Sequence, residues 1–197
     1  KFFNGGWGSS SHGTHTAGTA AGDPRPFGSY SGAGMAPDAF IAHDGVFPNS
    51  ANLLAKLDQL HSHGARIHSN SWGNDFSRSY DNWCRDIDAY SHDQEEGLIL
   101  FAVSNGYILK NPENAKSVVG VGATRADDPS IFGVGAAGPT LDGRLKPEVL
   151  APGIGISSAA AGASCLTLAM TGTSMACPAV AGGAALLKEY FEAGWYP

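Results

Sequence analysis

One run of small and apolar residues, at positions 172–187, restricts the folds open to this chain more than any other feature. No side chain between positions 175 and 187 carries a charge. A helix without a polar face must be covered by the rest of the protein. We therefore predict a buried central helix that begins at Ser174 and runs to about Phe191.

Ser174 occupies the start of this predicted helix. A helix N-terminus presents unpaired backbone N–H groups and positive dipole charge, which stabilise an anion that forms beside it. The serine is therefore placed to act as a nucleophile, but serine is also a common cap of a core helix. Pro178 lacks an N–H group and crowds the carbonyl of Ser174, so we expect a distorted first turn. The rest of the chain has to decide between the two interpretations.

Composition limits the class of protein. A chain of 197 residues with 43% hydrophobic and 15% charged residues fits one globular domain, here residues 1–197. The net charge of -6 and the absence of basic runs argue against a nucleic-acid partner. No apolar stretch is long enough for a membrane span, and residues 1–6 do not resemble a signal peptide. Three cysteines, Cys84, Cys165 and Cys177, leave at least one without an internal disulfide partner.

Strand and helix patterns alternate along the chain. The predicted helices cover residues 12–22, 52–63 and 78–96. The predicted strands cover residues 39–46, 98–103 and 117–123, and residues 66–73 are predicted to be a strand that breaks into a loop. This alternation predicts an α/β fold with a mostly parallel sheet that is covered on both faces. In such sheets the functional residues gather at the carboxyl ends of the strands.

Four short motifs fall at these strand ends or at helix starts. In chain order they are His12-Gly13-Thr14-His15-Thr16-Ala17-Gly18, Ser69-Asn70-Ser71-Trp72-Gly73, Phe101-Ala102-Val103-Ser104-Asn105-Gly106 and Gly172-Thr173-Ser174-Met175-Ala176-Cys177-Pro178. Their order and content resemble the subtilisin family of serine peptidases. Residues 34–39 and 142–153 are similar to structural segments of the same family, and residues 64–73 resemble the large alkaline subtilisins that carry a C-terminal β-sandwich.

The resemblance implies a role for each motif. It makes Ser174 the nucleophile, His12 the general base and Asn105 the side-chain donor of an oxyanion hole, with His15 as the second, non-catalytic histidine. Ser71, Trp72 and Gly73 would form the edge that binds a peptide substrate by β-augmentation. Trp72 would also help to shape a pocket for an apolar side chain.

The sequence departs from the family at the aspartate of the catalytic triad. None of the eleven residues before His12 is an acid. We therefore expect a three-layer subtilisin-like fold that lacks the N-terminal aspartate strand. The missing acid could come from an upstream segment or a partner chain, or it could be replaced by Asp44. Alternatively, the chain is an impaired relative with a binding or structural role in a larger assembly, an interpretation that Ser104 favours because the family has glycine there.

Other candidate sites are weaker. His61 and His63 are two residues apart on a predicted helix, so they do not share a face, and we interpret them as surface histidines rather than metal ligands. Residues 120–123 faintly resemble a dinucleotide-binding loop but lack its third glycine and its following helix. No metal ligand is assigned. Structural calcium and an extracellular location are implied by the resemblance alone, and the expected partner is a peptide or protein substrate.

Overall fold

A computed structural model describes residues 2–4, 10–28, 32–44, 52–162 and 166–194. Within them the helices are α1 (Ser11–Ala21), α2 (Leu53–Ser62), α3 (Asn82–Asp93) and α4 (Thr173–Glu192). The strands are β1 (Phe2–Asn4), β2 (Ile41–His43), β3 (Ile67–Asn70), β4 (Leu98–Ala102), β5 (Val119–Arg125), β6 (Phe132–Val134), β7 (Val149–Ile154), β8 (Ile156–Ala159) and β9 (Thr167–Met170). A short 3-10 turn covers Arg25–Phe27.

The main sheet is mostly parallel, as predicted. β3, β4, β5 and β7 run in parallel, and β6 pairs antiparallel with β5. β8 and β9 form a separate antiparallel hairpin, and β1 pairs in parallel with β2. Within the described residues β2 and β3 belong to different sheets, so each has an edge without a neighbouring strand. The lack of an aspartate strand stays a prediction from the sequence.

Helices cover both faces of the main sheet, which gives the three layers that the sequence predicts. Along β4 the side chains alternate: Ile99 and Phe101 join α2 and α3 in one core cluster, whereas Leu100 and Ala102 join α4 in another. α1 lies on α4 rather than on the main sheet, and it also packs against β8.

Only the first half of α4 is buried, which corrects the prediction of a fully covered helix. Residues 175–178 are almost completely buried among β3, β4, β5 and β7, whereas Leu186, Leu187, Tyr190 and Phe191 are exposed. A 20-residue helix is about 30 Å long, which is more than the sheet it crosses can cover.

Side-chain hydrogen bonds set several element boundaries. Ser10 accepts a hydrogen bond from the N–H of Gly13 and so caps α1. Asp81 caps α3 in the same way through Trp83, which is why this helix begins four residues later than its apolar pattern predicts. The predicted strand 39–46 is confirmed at Ile41–His43, and its residues 45–46 lie outside the described part of the chain.

Two further predictions are tested by this structure. Within the described residues no helix combines the length and the apolar composition that a membrane crossing needs. Cys84 and Cys177 are both buried and free, and burial raises the pKa of each thiol to about 11. Cys165 lies outside the described residues.

Candidate active site

A cavity of about 200 Å³ opens where β3 and β4 end and α4 begins. The residues around it come from three of the four motifs and from the loops between them. They are Ser71, Trp72, Gly73, Asp75, Ala102, Val103, Ser104, Asn105, Glu113, Thr173 and Ser174. Five of the six site residues predicted from the sequence therefore surround one cavity. The sixth, His12, is not among the residues that line it.

The backbone that leads into Ser174 is tied to β4. Thr173 donates its hydroxyl to the carbonyl of Val103 at 2.5 Å, and it is almost completely buried. Gly172 has a φ of 155°, and an added Cβ there would lie 3.1 Å from the Asn105 side-chain oxygen. A glycine is therefore needed at this position for the close approach that brings Ser174 beside Asn105.

Ser71 stabilises the first turn of α4. Pro178 has no N–H group, so the carbonyl of Ser174 lacks its usual helical donor. The Ser71 hydroxyl donates to this carbonyl at 3.0 Å and replaces the missing bond. Because of the proline, the Ser174 carbonyl is free to accept this hydrogen bond, which joins the loop after β3 to the start of α4.

The side-chain amide of Asn105 has a fixed orientation. Its Oδ1 atom accepts a hydrogen bond from the backbone N–H of Thr173 at 3.0 Å, and the Thr173 hydroxyl, whose single proton is donated to Val103 at the shorter distance, lies 3.1 Å away. Because the oxygen is held in this way, the NH₂ group is directed away from Thr173. In the described part of the chain this NH₂ group has no acceptor, so it is available to a ligand in the cavity.

Trp72 and Gly73 differ in how they meet the cavity. The Trp72 ring packs edge-on against Trp83 and Phe101, and its indole N–H donates to the side chain of Asn70. It is therefore anchored in the core cluster beneath the cavity. Gly73 is exposed, and its backbone makes no hydrogen bond to any described residue.

His12 lies in the first turn of α1 and is exposed. Partial burial, followed by the neighbouring charge of His15, lowers the pKa of His12 below its usual value of 6.5. The imidazole is consequently neutral at pH 7 and able to accept a proton. His15 itself is fully buried, and its Nε2 atom contacts the carbonyl oxygens of Ile156 and Leu168 at 2.9 Å each, so it ties α1 to the β8–β9 hairpin.

Asp44, the replacement considered for the missing acid, is engaged elsewhere. Its carboxylate forms an ion pair with Lys56 on α2 at 2.5 Å. A different side chain, that of His43, lies beside the start of α1. A Cβ on Gly13 would be 4.0 Å from the Nε2 atom of His43.

Two acids at the cavity were missed by sequence reasoning. Glu113 is only 3% exposed, and its carboxylate accepts backbone N–H groups of Ser104 at 2.9 Å and Lys110 at 2.7 Å. Burial, with the nearby charge of Asp75, raises the pKa of Glu113 to about 7 despite these two bonds. The available signal was an acid directly after Pro112, in the loop that follows the Asn105 motif.

The interpretation of His61 as a surface residue is wrong. Its side chain is only 13% exposed, and its Nδ1 atom is 2.8 Å from the Tyr90 hydroxyl, which also contacts Nε2 of His68. His63 is exposed, as expected. The described residues contain no cluster of three or more His, Cys, Asp or Glu side chains that could hold a metal ion. No residue is therefore assigned to calcium, which stays a prediction from the resemblance.

Comparison with known proteins identifies the class to which this fold and site belong. A model of the subtilase family of peptidases, family S8, matches residues 5–197. The chain belongs to the subtilase family. This result confirms the resemblance inferred from the four motifs and, at the family level, the expectation of a serine peptidase.

Three relatives illustrate the similarity. Serine protease/ABC transporter B family protein tagD of Dictyostelium discoideum is 24% identical in an alignment that covers 94% of this chain and 16% of that protein. Bacillopeptidase F of Bacillus subtilis is 30% identical over 200 residues, with coverage of 90% and 14%. Serine protease AprX of the same organism is 30% identical over 137 residues, with coverage of 51% and 30%. The chain thus spans less than a third of the length of each of these relatives.

Solved structures show the same fold. The prenylagaramide maturation protease PagA superposes with a TM-score of 0.76 at 27% identity, covering 98% of this chain and 70% of that one. The PatG macrocyclase in complex with peptide gives a TM-score of 0.74 at 23% identity, covering 95% and 55%. The second similarity concerns the fold alone.

Proposed function

We propose that this chain is the larger part of a serine endopeptidase domain that cleaves peptide bonds through an acyl-enzyme on Ser174. The observation that carries the proposal is the shared cavity of Ser174 and Asn105 at the N-terminus of α4. In the proposed reaction the Ser174 hydroxyl adds to the peptide carbonyl carbon while its proton passes to His12. His12 then protonates the leaving amine as the C–N bond breaks. In the second half of the reaction water attacks the ester and gives its proton to His12, and His12 returns a proton to the Ser174 oxygen as the acid product leaves.

Asn105 is proposed to stabilise the oxyanion. Its NH₂ group and the first N–H groups of α4 provide donors beside the carbonyl under attack. The hydrogen bond from the backbone N–H of Thr173 holds the amide before substrate arrives, so no reorganisation is needed at the moment of reaction. Loss of one such donor costs roughly 3–4 kcal/mol of transition-state stabilisation in subtilisin-type sites.

The role of His12 as the base is supported by the packing of α1 on α4. An added Cβ on Gly182 would lie 2.7 Å from the carbonyl oxygen of Ala20, so the two helices touch there. Gly182 follows Ser174 by eight residues, and Ala20 follows His12 by eight residues. In the proposed arrangement α1 and α4 run side by side in the same direction, and the equal spacing then brings His12 and Ser174 to the same end of the pair. The lowered pKa of His12 supplies the neutral form that a base requires.

We propose that the missing carboxylate is delivered by a strand inserted between β2 and β3. Both flanking strands have an edge without a partner within the described residues, and Ser69 on β3 is exposed although it belongs to the main sheet. In this proposal the strand comes from an upstream segment or from another chain and runs parallel to β2, as β1 does. Its carboxyl end would lie near the start of α1, because His43 ends β2 beside Gly13.

A peptide substrate is proposed to lie along residues 71–73. Gly73 has an exposed backbone whose hydrogen-bonding groups are unused by the described residues. An extended peptide can pair with such a segment by adding one strand. Secretion stays a prediction from the resemblance.

A second candidate function is non-catalytic binding. It is favoured by one observation: no hydrogen bond joins His12 to an acid within the described residues. In a subtilisin the loss of the triad aspartate lowers kcat by roughly 3 × 10⁴, so a chain without any replacement would turn over very slowly.

Labelling with a fluorophosphonate probe tests the proposed nucleophile. We expect the wild-type chain to be labelled, S174A to be unlabelled, and H12A to react at least about tenfold more slowly because its base is missing. The matched control is S157A, which removes an exposed hydroxyl on β8 and should leave the rate unchanged. Labelling that persists in S174A would overturn the assignment. A wild-type chain that is folded but never labelled would favour the non-catalytic function.

A further inference from the structure

Glu113 is a buried carboxylate without a counter-charge. Its oxygens accept the N–H groups of Ser104 and Lys110, and within the described residues no ion pair reaches it. Buried acids in proteins are normally paired with a cation, because removing a carboxylate from water is costly. A carboxylate has about four acceptor positions, so two of the Glu113 positions are left for another donor.

The position of Glu113 indicates where that donor would come from. Glu113 lines the same cavity as Ser174 and Asn105, and the described residues that surround this cavity include no Lys, Arg or His. Asp75 adds a second acid to the wall and is exposed to solvent. The two carboxylates are close enough for the charge of Asp75 to raise the pKa of Glu113. The wall of the cavity thus contains two acids, of which Glu113 is buried and Asp75 is exposed.

A ligand cation would also offset the unfavourable ionisation of Glu113, which is buried and lies near a second acid. The groups near Glu113 that can carry charge are Asp75, which opposes its ionisation, and Lys110, which favours it only weakly compared with burial. An ammonium or guanidinium group beside the carboxylate would stabilise the ionised form and replace the lost solvation. A neutral apolar side chain would leave the acid buried and unpaired.

We propose that this cavity binds the cationic side chain of the residue whose carbonyl is attacked, so that the peptidase prefers lysine or arginine at that position. The proposal rests on the proposed function, because it is the placement beside Ser174 that makes the cavity a specificity pocket. Glu113 is the specificity-determining residue and Asp75 assists it. Trp72 lines the same cavity, so the expectation that it helps to shape a pocket for an apolar side chain stays a prediction.

Binding of p-aminobenzamidine, a fluorescent cation that mimics an arginine side chain, tests the pocket without requiring catalysis. We expect the folded chain to bind it about 10 to 100 times more tightly than E113Q does, as for a lost charge-assisted hydrogen bond. E95Q makes the same chemical change at an exposed site on another part of the chain and should bind like the wild type. Affinity should also be higher at pH 8 than at pH 6, because Glu113 must lose its proton.

A second variant protects the test against misfolding of E113Q. Asp75 is exposed, so D75K is expected to fold, and its added cation should weaken binding by about tenfold. Equal affinities of the wild type, E113Q and D75K for p-aminobenzamidine would overturn the proposal. Cleavage of peptides with phenylalanine or leucine in preference to lysine or arginine would overturn it as well.

The two proposals fail in different ways. If Ser174 reacts with the fluorophosphonate probe but cation binding does not depend on Glu113, the peptidase stands and the specificity is wrong. If cation binding depends on Glu113 but Ser174 is inert, the acidic pocket is real and the catalytic proposal fails.

Discussion

The two faces of the main sheet are packed in different ways. The face under α2 and α3 is filled with large side chains, among them Ile87, Tyr90 and Phe101. The face under α4 is filled mainly with small ones, such as Ala176, Cys177 and Ala181. On the side of α4 that faces α1, an added Cβ at Gly182 would lie 2.5 Å from the Cβ of Met35 and 2.7 Å from the carbonyl oxygen of Ala20, so the backbones are in near contact there as well.

This difference separates stability from positioning. Large buried side chains contribute most of the hydrophobic stabilisation, because that contribution scales with apolar area removed from water. Small residues contribute less area but let helices and strands approach closely. This close packing leaves the first turn of α4 little freedom to shift relative to its neighbours. The face of large residues should therefore control the free energy of unfolding, and the face of small residues should control the reactivity of Ser174.

The largest effect is expected for I87A on α3. Ile87 is completely buried, so its truncation leaves a cavity and should lower the free energy of unfolding by about 2–5 kcal/mol. The rate at which the fluorophosphonate labels the folded fraction should not change. Urea denaturation and labelling kinetics measure the two quantities. I131A, at an exposed position, is the control and should change stability by less than about 0.5 kcal/mol.

The same face contains a histidine whose charge is suppressed. Burial, with the charges of His61 and Arg66, lowers the pKa of His68 to about 4 from 6.5. The folded state therefore binds fewer protons than the unfolded state between these values, and His68 should cost the protein roughly 3 kcal/mol of stability as pH falls from 6.5 to 4.

The variant H68Q isolates this contribution. Denaturation at several pH values should show a smaller loss of stability below pH 6.5 in H68Q than in the wild type. H63Q removes an exposed histidine and serves as the control. Glu113 acts in the opposite direction, because its raised pKa makes the folded state bind more protons than the unfolded state between pH 4.5 and about 7. A wild-type and H68Q difference that does not depend on pH would contradict the prediction.

Of the three variants, G182A should change the free energy of unfolding least. It should change the labelling rate of Ser174 more than I87A does. Overpacking against Met35 and Ala20 costs about 1–3 kcal/mol, and the better helix propensity of alanine offsets about 1 kcal/mol of it. Because α1 must move away from α4, labelling of Ser174 should slow. G183A is a matched control, since a Cβ there meets nothing within 4 Å. It should be as stable as the wild type or more stable, with an unchanged labelling rate.

Local patterns predicted the elements that carry their own signal. The apolar spacing of α2 and the continuous apolar run of β4 both lie close to their predicted positions. The short strands β6 to β9 have no comparable pattern, because they are three to six residues long and partly exposed. The extent of burial along α4 was overestimated, since the sequence does not reveal where the sheet beneath a helix ends.

The sequence by itself determined the family, the helix that begins at Ser174 and the residues proposed for chemistry, because these depend on short motifs and on periodicity among neighbouring residues. Only the tertiary structure decided which distant groups meet. It placed Glu113 in the cavity of Ser174, bonded Ser71 to the carbonyl that Pro178 leaves free, and packed the partly buried His61 against Tyr90. Such contacts depend on the order of strands in the sheet and on burial, and neither is recorded in the local spacing of residues.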